Sequence, residues 1–560
     1  MMMSAKRIRI EKDKQVSAND VEEKMDLINS LDNDSLAQIF MLLPMSERIT
    51  MNEVCSKWKE ACQLAWHDIK KYKCTNTIVR NYKKCILTQS YVEKVIFNCG
   101  IYLKELILSK VCDSSIMPII AEYCKNLSTL EFEIDVNKDD RYTDRFVETF
   151  TQLEQLKIVK IHIAGERFQF QMLNSLPKDT NEIHLFFELS ESQKLSGFNR
   201  QLFLLLESYR DPVAPSLFSL RKFAHLRKLT IHSCIITNIM QEISEKTTLV
   251  YLDLQECIST GEIFTFNQLS NLEHLNIKHM SFMDSELSQN MLNPISDIFN
   301  TCKNLKHLDA PGINVDLAEI KMENWVNLRN LVYLNIRWQA SDAIIKNIIK
   351  YCNNLEFINI DKLNSESTIK LTKLENLNYL KFGVTNYING EVMVAILNNC
   401  KKIKHLVING YTTVEASIFD DILKLQYIES LNLACILNIG RSRITSTAYI
   451  ALTSLKNLKE LNIESNENVE DNFIVQLREI KSLSCSQCKQ LTDAGVIQFI
   501  KNNPDLEFLD ISYITNVTID TIIAAEEVSK NRTNDTFLAI KTDDPVLKEA
   551  CIKSQWLTCD

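Results

Sequence analysis

The sequence predicts an α/β protein in which a short module of three helices precedes a long, curved solenoid of strand–helix repeats. A compact and strongly patterned segment occupies residues 31–58, and a segment of the form Leu-x-x-Leu-x-Leu recurs through the rest of the chain. Glycine and proline number only 10 and 9 in 560 residues, too few for an all-β protein with many tight turns. In such a solenoid we expect parallel strands on the concave face and helices on the convex face.

Composition and charge exclude several classes of protein. With 45% apolar and 24% charged residues the chain is typical of a globular protein, although residues 1–24 are polar and we expect a disordered tail there. A net charge of -9 disfavours a general nucleic-acid partner, and no apolar run approaches the roughly 18 residues of a membrane span. The 17 scattered cysteines and the charged N-terminus predict free thiols in the cytoplasm or the nucleus, with no membrane partner.

The helical module is predicted to occupy residues 25–66. Asp32 or Asn33 can cap the first helix, Pro44 ends it, and Glu47 lies in the first turn of the next one, where a negative charge is favourable. Apolar residues at i, i+3, i+4 and i+7 form one face of the first helix: Leu36, Ile39, Phe40 and Leu43. Three short helices cannot bury much core, so a neighbour is expected to cover part of their apolar surface.

This segment resembles the F-box, whose pattern runs Leu-Pro-x-Glu-x-Leu-x-x-Ile-Phe-x-x-Leu, then Asp-Arg, then Val-Cys-x-x-Trp. The matching positions here are Leu31, Asp34, Leu36, Ile39, Phe40, Leu43, Glu47, Arg48, Val54, Cys55 and Trp58. Asp32 departs from the pattern, which has proline at that position. The resemblance implies that the module binds the Skp adaptor of cullin–RING ubiquitin ligases through Leu31, Leu36, Ile39, Phe40, Leu43, Pro44, Val54 and Trp58. The alternative is an unrelated helical cap that shields the end of a larger domain.

The chain after this module is repetitive. Residues 67–94 are locally basic and are predicted to form a helical connector. Repeat segments such as NLVYLNI (330–336) then begin at 304, 330, 354, 376 and 402, intervals of 26, 24, 22 and 26 residues, which is the period of leucine-rich repeats. We therefore predict a leucine-rich repeat domain over residues 95–540, irregular or inserted at about 159–222. Residues 541–560 are predicted to be a C-terminal tail or cap.

A recurring junction between helix and strand supports this period. Its sequence is YCKNL (123–127), TCKNL (301–305), YCNNL (351–355) and NCKKI (399–403). Where cysteine is missing from this position, leucine often replaces it, as at Leu269, Leu328, Leu374 and Leu455. The position is therefore predicted to be small, apolar and buried at a helix end. Together with the helical module, the pattern resembles the F-box/leucine-rich repeat family with cysteine-containing repeats.

The concave face is the candidate site for a protein substrate. Period-two alternation turns the residue before the second leucine outward, and aromatic residues or histidine hold that position in seven successive units: Tyr251, His274, His307, Tyr333, Phe357, Tyr379 and His405. Arg337 and Trp338 follow one strand and could add an anchor. The alternative is that these rings only stabilise the strands by stacking along the ladder. The adjacent Asp253, Asn276, Asp309, Asn335 and Asn359 are predicted to serve the repeat itself.

No catalytic or cofactor motif accompanies these features. Cys485-x-x-Cys488 has the spacing of half a zinc site, but no second pair exists, and a role in the repeat core is favoured. The sequence shows no phosphate-binding loop and no metalloprotease or serine-hydrolase motif, so we expect a non-catalytic protein without cofactor. The family resemblance implies a substrate-recognition subunit of an SCF-type ubiquitin ligase, linked to cullin and a RING subunit through the adaptor. A ligase-independent scaffold or inhibitor is the alternative.

Overall fold

The chain is represented by a computed structural model that divides into two compact units, Met1–Leu195 with Pro215–Leu226, and Ser196–Ala214 with Arg227–Asp560. The structure describes residues 28, 30–74, 77–80, 83–138, 141–165, 168–188, 218–260, 266–283, 294–311, 321–336, 342–360, 363–382, 388–408, 412–413, 419, 421–434, 446–532, 537–554 and 556–559. The predicted tail over residues 1–24 lies outside this set. Within it, no helix is both long enough and apolar enough to cross a lipid bilayer.

The first unit begins with three helices, α1 (Asn33–Met41), α2 (Met45–Met51) and α3 (Ser56–Ala65), as predicted. Asp32 caps α1, because its carboxylate accepts a hydrogen bond of 2.7 Å from the backbone N–H of Ser35. Pro44 stands between α1 and α2, where it cannot continue the first helix. The small core of these helices consists of Leu36, Ala37, Phe40, Ala61, Cys62 and Ala65.

The prediction of a helical connector over residues 67–94 is wrong. This stretch forms strand β1 (Lys71–Lys73), the antiparallel pair β2 (Thr77–Arg80) and β3 (Lys83–Ile86), and only then the start of helix α4 (Gln89–Cys99). The exposed Lys71 and Lys73 flank the buried Tyr72, an alternation that belongs to a strand. The backbone of β1 pairs in parallel with β4 (Glu105–Ile107), so tertiary pairing decided its conformation.

The rest of the first unit is a parallel ladder in the order β1–β4–β5–β6–β7. Its further elements are α5 (Met117–Tyr123), β5 (Thr129–Asp135), α6 (Tyr142–Gln152), β6 (Ile158–Ala164) and β7 (Glu182–Glu188), with 3-10 helices at Gly100–Tyr102, Ser114–Ile116, Phe170–Ser175 and Leu220–Lys222. The stretch predicted to be irregular at about 159–222 is thus regular up to residue 188, because β6 and β7 pair along their whole length. Residues 189–217 lie outside the described part of the chain.

The second unit confirms the predicted leucine-rich repeat fold, with one long ladder of parallel strands and helices between them. The ladder runs β8–β9–β11–β13–β14–β15–β16–β18–β20–β21–β22–β23–β24–β25. Its strands are β8 (Lys228–His232), β9 (Tyr251–Asp253), β11 (His274–Asn276), β13 (His307–Asp309), β14 (Tyr333–Ile336), β15 (Phe357–Ile360), β16 (Tyr379–Phe382), β18 (His405–Val407), β20 (Ser430–Asn432), β21 (Glu460–Asn462), β22 (Ser482–Ser484), β23 (Phe508–Asp510), β24 (Leu538–Lys541) and β25 (Leu557–Cys559).

Helices and two short strand pairs complete the second unit. The helices are α7 (Thr237–Ser244), α8 (Pro294–Thr301), α9 (Asp342–Tyr351), α10 (Ser365–Leu371), α11 (Gly390–Asn399), α12 (Ser446–Ile450), α13 (Asp471–Ile474), α14 (Asp493–Asn502), α15 (Ile519–Lys530) and α16 (Pro545–Lys553), with 3-10 helices at Met322–Leu328, Ile422–Lys424 and Ala451–Ser454. The pairs are β10 (Ile258–Thr260) with β12 (Ser281–Met283) and β17 (Ile388–Asn389) with β19 (Thr412–Thr413). The predicted C-terminal tail or cap at 541–560 continues the ladder through α16 and β25.

The repeat core lies between the strands and the helices. The second leucine of each repeat points inward, and the junction position is buried throughout, as predicted: Cys124, Leu269, Cys302, Leu328, Cys352, Leu374, Cys400 and Leu455. The turn after many strands contains a non-glycine residue with positive φ, namely Ser233, Glu256, His279, Ser465, Gln487 and Tyr513. In several of these turns the N–H donates to a carbonyl of the next repeat, as from Glu256 to Lys278 at 2.8 Å. This inter-repeat bond offsets the cost of the backbone conformation.

Candidate protein-binding surfaces

The predicted adaptor-binding residues divide by exposure. Leu36 and Phe40 are buried in the core of the helical module, and Leu31, Leu43 and Trp58 pack partly against that core. Ring centroids of Phe40 and Trp58 lie 5.2 Å apart. Ile39, Pro44 and Val54 reach solvent, with 46% of Ile39 and 55% of Val54 exposed. This last group offers most of the apolar surface among the eight residues, and the role of all eight in adaptor binding stays a prediction.

Leu42 is a candidate contact residue that sequence reasoning missed. It is 86% exposed at the end of α1, one turn from Ile39. Ile28 and Leu64 are further exposed apolar residues of this module. The F-box pattern has no apolar position at residue 42, and helical periodicity places Leu43 rather than Leu42 on the apolar face. Only the packing of α1 on α3 shows that Leu42 faces water.

Arg48 holds the helical module together. Its guanidinium donates to the carbonyls of Leu43 at 3.0 Å and of Ala65 at 2.8 Å, and also to that of Met41. It forms a two-pronged ion pair with Asp68, with N–O distances of 2.8 and 3.0 Å. The carbonyls at the ends of α1 and α3 have no partner within their helices, and a cation is favourable there. One nearly buried side chain thus joins the ends of two helices.

The second unit brings the seven predicted outward rings into one continuous stack. Centroid distances along it are 4.0 Å from Tyr251 to His274, 3.9 Å to His307, 3.9 Å to Tyr333, 3.9 Å to Phe357, 4.1 Å to Tyr379 and 5.6 Å to His405. The rings are near parallel, and all seven residues are half-buried. Ladder stacking, which was the alternative to a binding role, is therefore real. Ring edges still line the surface, so binding by this stripe stays a prediction.

Burial controls the ionisation of the ring stack. It lowers the pKa of His274 to about 4, and it lowers that of His307 to about 3, where the neighbouring His274 adds to the effect. It also raises the pKa of Tyr251 to about 12 and that of Tyr333 above its usual range. At neutral pH the stack is consequently uncharged at these four residues, and it presents neutral ring edges to a partner.

A buried row of amides and carboxylates runs beside the rings. The amide of Asn359 donates to Asn335 at 2.7 Å, and the amide of Asn335 donates to the carboxylate of Asp309 at 2.8 Å. Burial raises the pKa of Asp309 despite the nearby Lys278. Burial has the largest single effect on the pKa of Asp253 and raises it, but His232, whose Nε2 lies 3.0 Å away, the Gln255 N–H and the Asn276 side chain together lower it below its usual value. As predicted, the described hydrogen bonds of this row connect neighbouring repeats.

Replacing Asn335 by alanine should destabilise the second unit by about 2 kcal/mol, because it leaves the amide of Asn359 and an oxygen of Asp309 without their partner in a buried site. Denaturant unfolding of the variant and of wild type measures the difference. Asn378→Ala is the control, since Asn378 donates to Glu356 on the exposed side of the same ladder. An equal loss of stability in both variants would show that the buried hydrogen bonds of this row stabilise the fold no more than an exposed one does.

The cysteines of the described part are free thiols, and most are buried. Cys485 donates to the carbonyl of Asp510 at 3.2 Å, and Cys488 donates to that of Ile463 at 3.2 Å. Burial raises the pKa of Cys488 to about 12 and that of Cys485 well above its usual range. Protonated thiols that bond to neighbouring repeats act as packing groups. Arg337 and Trp338, the predicted anchors, lie outside the described residues.

No protein-family model matches the sequence. The curated "Putative RNA-binding protein EEED8.10" of Caenorhabditis elegans is 24% identical over 172 residues, 30% of this chain. The matched region spans only 22% of that protein's length. Among solved structures, the leucine-rich repeat protein LIC12759 of Leptospira interrogans is 15% identical, with 70% of this chain and 91% of that chain covered and a TM-score of 0.36. The yeast complex of Rad7 and Elc1 is 12% identical, with coverages of 93% and 96% and a TM-score of 0.29.

Proposed function

We propose that this protein is the substrate-recognition subunit of an SCF-type ubiquitin ligase. Its helical module would be an F-box that binds a Skp-family adaptor, and through it cullin and a RING subunit. The repeats would hold a protein substrate. The protein itself would catalyse no covalent step. It would raise the effective concentration of the substrate beside the ubiquitin-charged enzyme. It would act in the cytoplasm or the nucleus without a cofactor.

The main support for this proposal is the apolar surface that the helical module leaves exposed. The module already has a core of its own, and Arg48 joins its helix ends, yet Ile39, Leu42 and Val54 remain largely exposed. A partner that covers exposed leucine and isoleucine side chains one helical turn apart removes apolar surface from water, which favours binding. Ile39 and Val54 occupy positions of the F-box pattern, which is the sequence argument for a Skp-family partner.

The ring stack supports the second half of the proposal. Aromatic side chains contribute more to protein interfaces than their number suggests. Each of the five inner rings of the stack, from His274 to Tyr379, lies between rings on the two adjacent strands. Binding of a partner there would cost little conformational entropy, because the stacked side chains are already ordered.

The test is an affinity purification from cells treated with a proteasome inhibitor. We expect intact chain to recover adaptor and cullin, and a chain without residues 25–66 to recover neither while it retains and accumulates other partners. Ile39→Asp with Leu42→Asp should lower adaptor recovery about tenfold or more, because charge enters an apolar interface. Leu423→Asp is the matched control, an exposed leucine of the repeats.

Two outcomes would contradict the proposal. If neither the intact chain nor the deletion recovers cullin, a ligase-independent scaffold or inhibitor becomes the better interpretation. If adaptor recovery survives Ile39→Asp with Leu42→Asp, the adaptor does not use this exposed surface.

A further inference from the structure

We infer that the end of the ring stack binds an arginine side chain of a partner protein, in a notch formed by His405, Ser430 and Glu460. These residues occupy equivalent positions on three successive strands, β18, β20 and β21. The inference rests on the proposed function in one respect only, namely that the partner is expected to be a substrate of the ligase.

The shape of the notch follows from the strand register. One face of the His405 ring meets Tyr379, and the ring makes no other ring contact in the described part of the chain. The next position on the ladder is the small Ser430, and the one after it is Glu460. Strands spaced about 4.8 Å apart leave roughly 10 Å between the backbones that bear His405 and Glu460. That space admits one flat group stacked on the imidazole.

The charge of the notch comes from the carboxylate of Glu460. This residue is exposed and makes no side-chain hydrogen bond or ion pair with any residue that the structure describes. Other exposed carboxylates on this ladder are paired, as Glu429 is with Lys404 at 2.9 Å and Glu507 with Lys481 at 2.6 Å. A carboxylate with no ion pair among the described residues, beside an open aromatic face, is suited to a cation.

Arginine is the cation that satisfies all three residues. Its planar guanidinium can stack on the imidazole of His405 while its N–H groups reach the carboxylate of Glu460 and the hydroxyl of Ser430. A lysine ammonium is a compact charge without a plane to stack, and a neutral ring would leave Glu460 unpaired.

The rest of the stack does not offer an equivalent site. Rings between Tyr251 and Tyr379 lie at most 4.1 Å from their neighbours, so no group can insert between them. At the opposite end, the position next to Tyr251 is Lys228, whose charge opposes a second cation. The open end at His405 is therefore where a cationic group is favoured.

A selection with a displayed library of random peptides tests this inference, using the purified full-length chain without adaptor. We expect arginine to be enriched at one position of the selected peptides, and citrulline in its place to weaken the best peptide about tenfold. Glu460→Gln and Ser430→Arg should each abolish the enrichment, the first by removing the charge and the second by filling the notch. Glu507→Gln, an exposed carboxylate on the same ladder, is the matched control and should leave it unchanged.

Three results would overturn the inference: no arginine enrichment, enrichment that survives Glu460→Gln, or equal enrichment of lysine, which would exclude stacking on His405. Melting curves of the variants, compared with wild type, show that they remain folded. Because no adaptor or cullin is present in the selection, its outcome is independent of the affinity purification. Arginine binding without cullin recruitment would leave the notch as the site of a scaffold.

Discussion

Replacing Arg48 by alanine is expected to destabilise the helical module by about 2–4 kcal/mol, enough to unfold a small three-helix unit. The change leaves Asp68 without its ion pair and the carbonyls of Met41, Leu43 and Ala65 without their donor. We place the value below that of a fully buried pair because Asp68 keeps part of its contact with water. Hydrogen exchange of residues 33–66, compared between variant and wild type, measures the loss.

Arg48→Lys is the matched variant for this measurement. It keeps the positive charge but cannot donate from a planar fork to several acceptors at once, so an intermediate loss of protection is expected. Exchange in the repeats of the second unit should stay unchanged in both variants. If Arg48→Ala leaves the exchange of the helical module as it is in wild type, the helix ends do not depend on this side chain.

Acidification from about pH 7 to pH 5 is expected to cost the second unit about 2–4 kcal/mol through His274 and His307 alone. Their folded-state pKa values, about 4 and about 3, lie below the value near 6.5 of an unfolded chain. The unfolded chain therefore binds more protons below pH 6.5, so stability is complete above that pH and is lost as the pH falls toward 3. The lower end of the range allows for the partial exposure of both rings.

The measurement compares the free energy of unfolding of wild type with that of the double variant, which carries both His274→Phe and His307→Phe, at the two pH values. Phenylalanine keeps a ring in each position of the stack but cannot take up a proton. Titration of the carboxylates affects both proteins alike and cancels in the comparison. We expect the variant to lose less stability on acidification than wild type does. The same pH dependence in both proteins would mean that neither histidine is held neutral by the fold.

The sequence by itself determined the repeat architecture and the row of rings. Each repeat must bury one apolar face, so leucine spacing sets the strand positions, and a constant register then aligns the residues beside the leucines. The spacing alone therefore places Tyr251 to His405 in one line. The junction cysteines followed from the same reasoning, since a position that alternates between cysteine and leucine must be buried.

Only the tertiary structure decided which apolar residues of the helical module are free. Leu36 lies within α1 and Leu42 directly follows it, but the packing of α1 on α3 buries the first leucine and leaves the second in water. The role of Arg48 and the strand β1 also depended on distant partners, the helix-end carbonyls and the edge of β4. The packing of segments far apart in sequence decides which side chains are buried and which backbones pair. The spacing of residues along one segment does not encode that packing.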